Sequence, residues 1–358
     1  MMMVIRAALL ALMGSLLATA SASAGPTLLF DPANGKVLYA EDVDDQWHPA
    51  SLTKIMTAYL AFEALKAGTL KLDSMLTTSE AAHAQPPSKV GLPVGGQMSV
   101  ELGLQALIVK SANDVAVMLA EAIGGSEQAF VEKMNATAKR LGMERTHFVN
   151  PHGLPAPEQV TTARDLARLS IAVVRDFPEH RERWASSDMR IGKMRLVTHN
   201  GLLTRYEGAD GLKTGFICDS GFNVVASATR DGRQLMAVVL GESSGHERSL
   251  RAASLLDHGF VNYGWKVLFN SPTLDSMPIE REARAVISVR SSVTSWGCNP
   301  RARVARRKTK EAGKASATKP AAAKAQAATA ASPAKAATPP PARKRAANAE
   351  VKPTAKTQ

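Results

Sequence analysis

Cysteine is scarce in this chain: Cys218 and Cys298 are the only two in 358 residues. Two are too few for a disulfide scaffold, and they can form one bridge only if Cys298 lies close to Cys218 in the fold. The histidines His83, His147, His152, His199 and His246 show no H-E-x-x-H or other ligand spacing, so no metal and no cofactor is expected. Trp184, Trp265 and Trp296 show no stacking pattern and read as core or surface aromatics. No segment after residue 24 is long and apolar enough to span a bilayer. The body also lacks net positive charge. The whole chain carries +12, but residues 301–358 hold 15 basic and 2 acidic residues, a net of +13, which leaves the first 300 at −1. A basic total therefore gives no reason to expect a nucleic-acid partner.

What is present begins with an export pattern. Arg6 precedes an apolar run from Ala7 to Ala18, and small residues end at Ala22-Ser23-Ala24. This is the layout of a secretory signal over 1–24 with cleavage after Ala24, and the run is shorter than the roughly 20 residues of a membrane span. The expected location is the periplasm or cell envelope, soluble or peripherally associated. At the other end, residues 301–358 are Ala, Lys, Pro and Thr with almost no large apolar side chain. Such a segment cannot bury a core and reads as a disordered basic tail.

Between them, hydrophobic residues, 45 % of the chain, suffice for a sizeable core. Two strands are expected around Thr27–Pro32 and Gly35–Ala40, joined at Pro32-Ala-Asn-Gly35. A helix should run from Ser51 to about Ala67, burying one face at Ile55, Tyr59, Phe62 and Leu65 or Lys66, with Gly68 ending it. Residues 99–141 read as helix-rich, and Thr162 as the N-cap of another helix, with Asp165 three positions on. Phe222–Thr229 and Gln234–Leu240 flank Asp231-Gly232, a hairpin signal, and Ser249–His258 reads as a last helix. Strands at both ends with helices between imply an α/β body with a mostly helical second lobe. The pattern weakens after about residue 270, so 25–270 is taken as the body and 271–300 as a short extension.

Three short motifs carry chemistry. Ser51-Leu-Thr-Lys54 sits at a helix start. A serine hydroxyl needs a base, and a lysine three positions on shares its helix face and can serve if burial or a second cation lowers its pKa. Ser111-Ala112-Asn113 offers a hydroxyl to relay a proton and an amide to hold a carbonyl. Lys213-Thr214-Gly215 leads into a strand, where a cation, a hydroxyl and a glycine suit an extended peptide ending in a carboxylate. Each alone is as well explained by a cap, a turn or a surface lysine. Together, and in this order, they match the S-x-x-K, S-x-N and K-T-G set shared by class A β-lactamases and penicillin-binding proteins.

With these motifs stand Leu29–Tyr39, His48–Thr57, Lys110–Asp114, Phe148–Leu154, Gly208–Phe216 and Ala237–Gly241, and over roughly residues 26–262 the chain resembles the D-alanyl-D-alanine carboxypeptidase family of low-molecular-mass penicillin-binding proteins. The resemblance implies a β-lactamase/transpeptidase-like fold, an antiparallel sheet flanked by helices plus a mostly helical lobe. It implies Ser51 as acylated nucleophile, Lys54 as general base and Ser111 as proton relay. Asn113, Lys213, Thr214 and an arginine would bind substrate, with backbone N–H groups of Ser51 and Phe216 as the oxyanion hole. By count the arginine is Arg248, with Arg251 close by. The partners implied are a peptidoglycan stem peptide and β-lactam inhibitors, and the tail adds anionic envelope polymers or lipid headgroups.

The chain departs from the family at Ile217, where many members have Thr. Residues 271–300 are also too short for the C-terminal β-rich domain that many carry, and the tail has no apolar face for their membrane-associating helix. Three other readings compete: DD-endopeptidase, class A-like β-lactamase and non-catalytic wall-binding protein. A β-lactamase would need a deacylating carboxylate, but Glu158 is followed by Gln-Val-Thr, and Ala112 stands where those enzymes have Asp.

Overall fold

A computed structural model describes residues 25–268, 271–294 and 297–298. The expected signal over 1–24, the tail over 301–358, Trp296 and the side chain of Trp265 lie outside what it describes.

In chain order the elements are β1 (Thr27–Phe30), β2 (Val37–Glu41), a 3-10 turn (Ala50–Thr53), α1 (Lys54–Lys66), β3 (Met75–Thr77), α2 (Glu80–Ala84), β4 (Gln97–Ser99) and α3 (Val100–Gln105). A π-helical turn (Ala106–Lys110) leads to α4 (Asn113–Gly124), α5 (Glu127–Arg140), α6 (Ala163–Asp176), α7 (Arg181–Trp184), and the hairpin of β5 (Asp188–Ile191) and β6 (Met194–Val197). Three long strands follow, β7 (Ala209–Ile217), β8 (Gly221–Arg230) and β9 (Arg233–Glu242), and then α8 (Gly245–Leu268).

The main sheet is antiparallel in the order β2-β1-β9-β8-β7, so the two ends of the body meet where β1 pairs with β9. Its central strands are apolar on both faces. Leu28, Phe30, Val225, Met236 and Val238 point into the core shared with α1 and the helical lobe. The alternate residues Leu29, Val224, Ala226, Leu235, Ala237 and Val239 pack with Ala252 and Leu256 of α8. A sheet covered on both sides needs near-continuous hydrophobic strands, which is why β8 and β9 read so plainly in sequence. The β8–β9 turn falls at Asp231-Gly232, both at positive φ (49° and 74°), as a tight hairpin requires.

Two elements differ from the sequence expectation. Helix α1 buries every residue from Lys54 to Phe62 and not a single face. It runs between sheet and helical lobe, and a helix enclosed on all sides carries apolar residues all round. Helix α8 is longer than expected, starting at Gly245 and reaching Leu268. Its outer turns carry His246, Glu247, Asp257 and His258, which interrupt an apolar period without interrupting the helix. Thr162 does cap α6, accepting from Asp165 N at 3.1 Å, but the Asp165 carboxylate turns to Arg145 N and Thr146 Oγ1.

The described residues beyond 270 form no helix or strand, yet they are fastened to the body. Arg164, buried on α6, pairs with Asp44 at 2.6 and 2.8 Å and donates to the carbonyls of Leu274, Met277 and Pro278. Leu274, Val289 and Val293 are buried in the main core. Arg284 pairs with Asp45, and Arg290 with Asp219 in the β7–β8 turn. Cys298 is bonded to Cys218 just past the end of β7, with Cα atoms 5.3 Å apart and a sequence separation of 80. Closing a loop of that length restricts the unfolded chain by about 4.5 kcal/mol in the entropic account. The Cys298→Ser protein should therefore unfold at lower denaturant concentration, losing about 2–4 kcal/mol in equilibrium unfolding; an unchanged midpoint would show that the bridge adds nothing.

Candidate active site

Ser51 lies in the 3-10 turn that opens into α1, and Lys54 is the first residue of that helix. One helical turn therefore sets both side chains on one side, and Lys54 Nζ sits 3.0 Å from Ser51 Oγ. The same nitrogen is 2.8 Å from Asn113 Oδ1 and 2.6 Å from the carbonyl of His152. Lys54 is 1 % exposed, and burial pushes its pKa well below the ordinary 10.5; nearby Lys213 lowers it further, while Asp114 opposes the shift. A neutral amine has two N–H bonds and one lone pair. Donating to Asn113 and His152 leaves the lone pair facing the Ser51 hydroxyl, the arrangement a general base requires.

Each neighbour of Lys54 is held in place. Asn113 starts α4, donates through Nδ2 to Pro86 O at 2.9 Å, and through its backbone N to Ser88 O at 2.7 Å. Asp114 beside it accepts from Val90 N and Gly91 N, pinning the 86–91 segment along the site's edge. The His152 carbonyl is fixed by Gly153, whose φ is +84° and whose missing side chain would stand 1.8 Å from Ala50 O. The imidazole of His152 is kept neutral, its pKa pushed down to about 3 by burial and by Lys54.

The third wall is β7. Lys213 is buried, donates to Thr214 O at 3.1 Å, and has its pKa lowered to about 7 by burial and then by Arg248. Gly215 lets the strand graze the nucleophile's turn: a Cβ there would meet Pro49 O at 2.9 Å and Ser51 N at 3.0 Å. That closeness sets the β7 backbone beside the Ser51 backbone. The ring of the next residue, Phe216, stacks on Phe222 with centroids 4.2 Å apart.

Ser111 occupies the left-handed region (φ 61°, ψ 39°) between the π-helical turn and α4, and its buried Oγ has no hydrogen-bond partner among the described residues. A non-glycine residue held there stores strain, and clusters of such residues mark functional sites. Ala50, directly before Ser51, is likewise at φ 48°.

The geometry separates the two arginines. Arg251 is committed to Glu41 and Glu242, at 2.7 and 3.3 Å. Arg248 is buried, donates through Nη2 to His199 O at 3.0 Å, and leaves Nε without a partner among the described residues. Its charge also bears directly on Lys213. Thus Ser51, Lys54, Ser111, Asn113, Lys213, Thr214, Phe216 and Arg248 come from four separate segments that the fold gathers around one site.

Sequence reasoning passed over Asn223 and the His152 carbonyl. Asn223, fully buried on β8, donates to the carbonyls of His48 and Pro49 and accepts from Gly241 N, tying the turn before Ser51 to the sheet. Its signal was an amide inside the apolar run Phe222–Ala226, where only a satisfied polar group belongs. A backbone carbonyl leaves no signal in side-chain identity.

An antiparallel sheet beside a serine, a buried lysine and a second hydroxyl is an arrangement that could support acyl transfer through serine. The profile of the D-alanyl-D-alanine carboxypeptidase family matches residues 15–244, and the chain belongs to that family. It is 39 % identical over 247 residues to the D-alanyl-D-alanine carboxypeptidase DacC of Escherichia coli, covering 67 % of this chain and 62 % of that one. It is 37 % identical to DacA of Haemophilus influenzae, covering 66 % and 61 %. The chain thus spans about three fifths of the length of these two relatives. Among solved structures, penicillin binding protein 5 from Haemophilus influenzae superposes with a TM-score of 0.65 at 37 % identity, covering 66 % of this chain and 71 % of that one. Penicillin-binding protein D2 from Listeria monocytogenes, in its ampicillin-bound form, gives 0.62 at 30 %, covering 68 % and 99 %.

The electrostatics of the site can be read directly. Lys213 Nζ, followed by nitrogen-detected NMR, should titrate near pH 7. Arg248→Leu removes a neighbouring cation and should move the midpoint upward, though burial holds it below the ordinary lysine value; an unmoved midpoint would show that the two charges are not coupled.

Proposed function

We propose that this protein is a serine-type D-alanyl-D-alanine carboxypeptidase that removes the terminal D-alanine from peptidoglycan stem pentapeptides and is acylated by β-lactams. The observation that carries the reading is the buried Lys54 amine 3.0 Å from the Ser51 hydroxyl. The terminal carboxylate enters among Lys213, Thr214 and Arg248, and Asn113 holds the peptide. Lys54 accepts the Ser51 proton as Oγ attacks the carbonyl between the two D-alanines. The oxyanion forms against the N–H groups of Ser51 and Phe216. Ser111 relays a proton to the departing amine, D-alanine leaves, and water then hydrolyses the acyl-enzyme.

The domain reading assigns 25–270 to catalysis and 271–300 to a short extension after it. Export by residues 1–24 would place the enzyme in the periplasm or cell envelope, and the basic tail would hold it near anionic polymers or lipid headgroups by charge. No described helix is long and apolar enough to cross a membrane.

A class A-like β-lactamase is disfavoured by what surrounds Ser51. Glu158 is exposed, and the buried residue beside it is an amide: Gln159 donates to Thr53 Oγ1 at 3.0 Å and accepts from Val149 N and Asn150 N. With Glu158 exposed and an amide at 159, a penicillin acyl-enzyme should persist, and turnover within seconds would favour the β-lactamase. The non-catalytic reading is disfavoured by the complete set of polar groups around Lys54.

Mass spectrometry of a defined pentapeptide and a cross-linked dimer incubated with the mature protein tests the reaction and separates carboxypeptidase from endopeptidase. The expected result is a tetrapeptide and free D-alanine from the first, and loss of that product in Ser51→Ala; equal release by both proteins would end the enzymatic reading. The pH profile tests the roles of the two lysines. Lys54 must be neutral to accept a proton, so kcat/KM should rise through its lowered pKa. Lys213 must be cationic to meet a carboxylate, so kcat/KM should fall above about 7. Bound substrate stabilises the Lys213 cation, so kcat itself should lack that alkaline fall; a kcat/KM flat above pH 7 would remove Lys213 from carboxylate binding.

A further inference from the structure

The cleft holds more positive charge than the mechanism uses. Besides Lys213 and Arg248, two basic residues border it: Lys110, directly before Ser111, and His199, in the segment between β6 and β7. They come from different parts of the chain and are brought together by packing. The β5–β6 hairpin leans on the π-helical turn that ends at Lys110, which carries the following segment toward it. That segment is then anchored from the other side, since Arg248 Nη2 donates to His199 O at 3.0 Å.

The charged groups facing His199 are Lys213 from β7, Lys110 from the π-helical turn and Arg248 from α8, and no carboxylate stands among them. Burial and these three cations hold the imidazole below its ordinary pKa of 6.5. Lys110 makes no ion pair among the described residues, and its carbonyl is held by Ser88 Oγ at 2.7 Å, which fixes the backbone from which the side chain extends. Asp114, the acid nearest Lys54, is occupied by three backbone N–H groups at Val90, Gly91 and Val115. With no acid among them these basic groups repel one another when charged, and an anion that joins them relieves the repulsion.

We propose that Lys110 and His199 form an outer cationic rim to the Lys213–Arg248 pocket, and that this rim draws in and orients the carboxylate end of the peptide before Lys213 and Thr214 receive it. The proposal rests on the carboxypeptidase reading and extends it with two positioning residues that act by charge from the mouth of the cleft. Rim charges act chiefly on encounter and ground-state affinity, so they belong in KM and not in kcat. An arriving carboxylate favours the imidazolium, so the contribution of His199 grows as pH falls.

The test is steady-state release of D-alanine by the full chain from an N-acylated peptide ending in D-Ala-D-Ala. The variants are His199→Gln, His199→Lys and Lys110→Gln. Lys110→Gln, and His199→Gln at the acid end of the pH profile where the imidazole is protonated, should each raise KM about two- to fivefold at low salt, with kcat nearly unchanged. The difference should fade at about 1 M NaCl, where the screening length is about 3 Å. The ratio of wild-type to His199→Gln kcat/KM should widen as pH falls. His199→Lys, a permanent cation, should restore KM and remove that pH dependence, which a merely structural role would not do. Wild-type release with His199→Gln and Lys110→Gln indistinguishable at every pH and salt overturns the rim alone, as does a loss confined to kcat. A wild type that releases no D-alanine overturns the reading beneath it as well.

Discussion

The burial of the Lys54 amine is the constraint on which the rest of the site depends. A lysine in water at neutral pH is an ammonium and cannot take a proton from serine. Enclosed at the start of α1, with Lys213 nearby, its charged form loses solvation and meets repulsion, and the neutral amine becomes accessible. Enclosure alone would leave a costly unsatisfied group. The fold answers with two acceptors of different origin, an asparagine side chain at the start of α4 and a carbonyl in the 148–154 loop. The helix therefore has to be central, and its apolar circumference follows from the same requirement that sets the chemistry.

A second constraint couples the sheet to this helix. The nucleophile's turn and β7 approach so closely that Gly215 has no room for a side chain, and Asn223 on β8 binds the turn's carbonyls from beneath. The proposed oxyanion pocket would need backbone groups from both elements at fixed separation, and close contact between rigid elements delivers that. Strain is located accordingly. Ala50 and Ser111, both left-handed without being glycine, stand immediately beside the two hydroxyl-bearing steps of the proposed reaction. The packed core and the hydrogen bonds around Asn113 hold them there.

Legibility in the sequence followed the physics of each part. Strands β8 and β9, their Asp231-Gly232 turn and the Thr162 cap were plain, because alternation, turn chemistry and capping are local. Ser51 and Lys54 were legible because three positions make one helical turn, and Ser111, Asn113 and Lys213 through the order in which the three motifs occur. The all-round burial of α1 was not, because a residue's period does not report what lies on the far side of its helix. The Cys218–Cys298 bond was left open for the same reason: pairing across 80 residues is decided by where the segment beyond 270 settles, and that segment has no periodic pattern. Arg164 settles it, through a buried ion pair and three carbonyls that no local signal announces.

That segment also bears on the site. Cys218 lies two residues past Phe216, and Asp219, bound by Arg290 and Ser288, forms the turn that carries β7 into β8. The end of β7 is therefore braced from outside by the stretch after 270 and from inside by the Phe216–Phe222 stack. An oxyanion pocket made partly from the Phe216 backbone would loosen if that end frayed, since the last residues of a strand at a sheet edge are where pairing is weakest. β7 is such an edge strand, with β8 its sole partner within the described sheet. The covalent and ionic ties stand where the sheet itself offers the least support, so a stretch without secondary structure of its own helps hold the site's geometry.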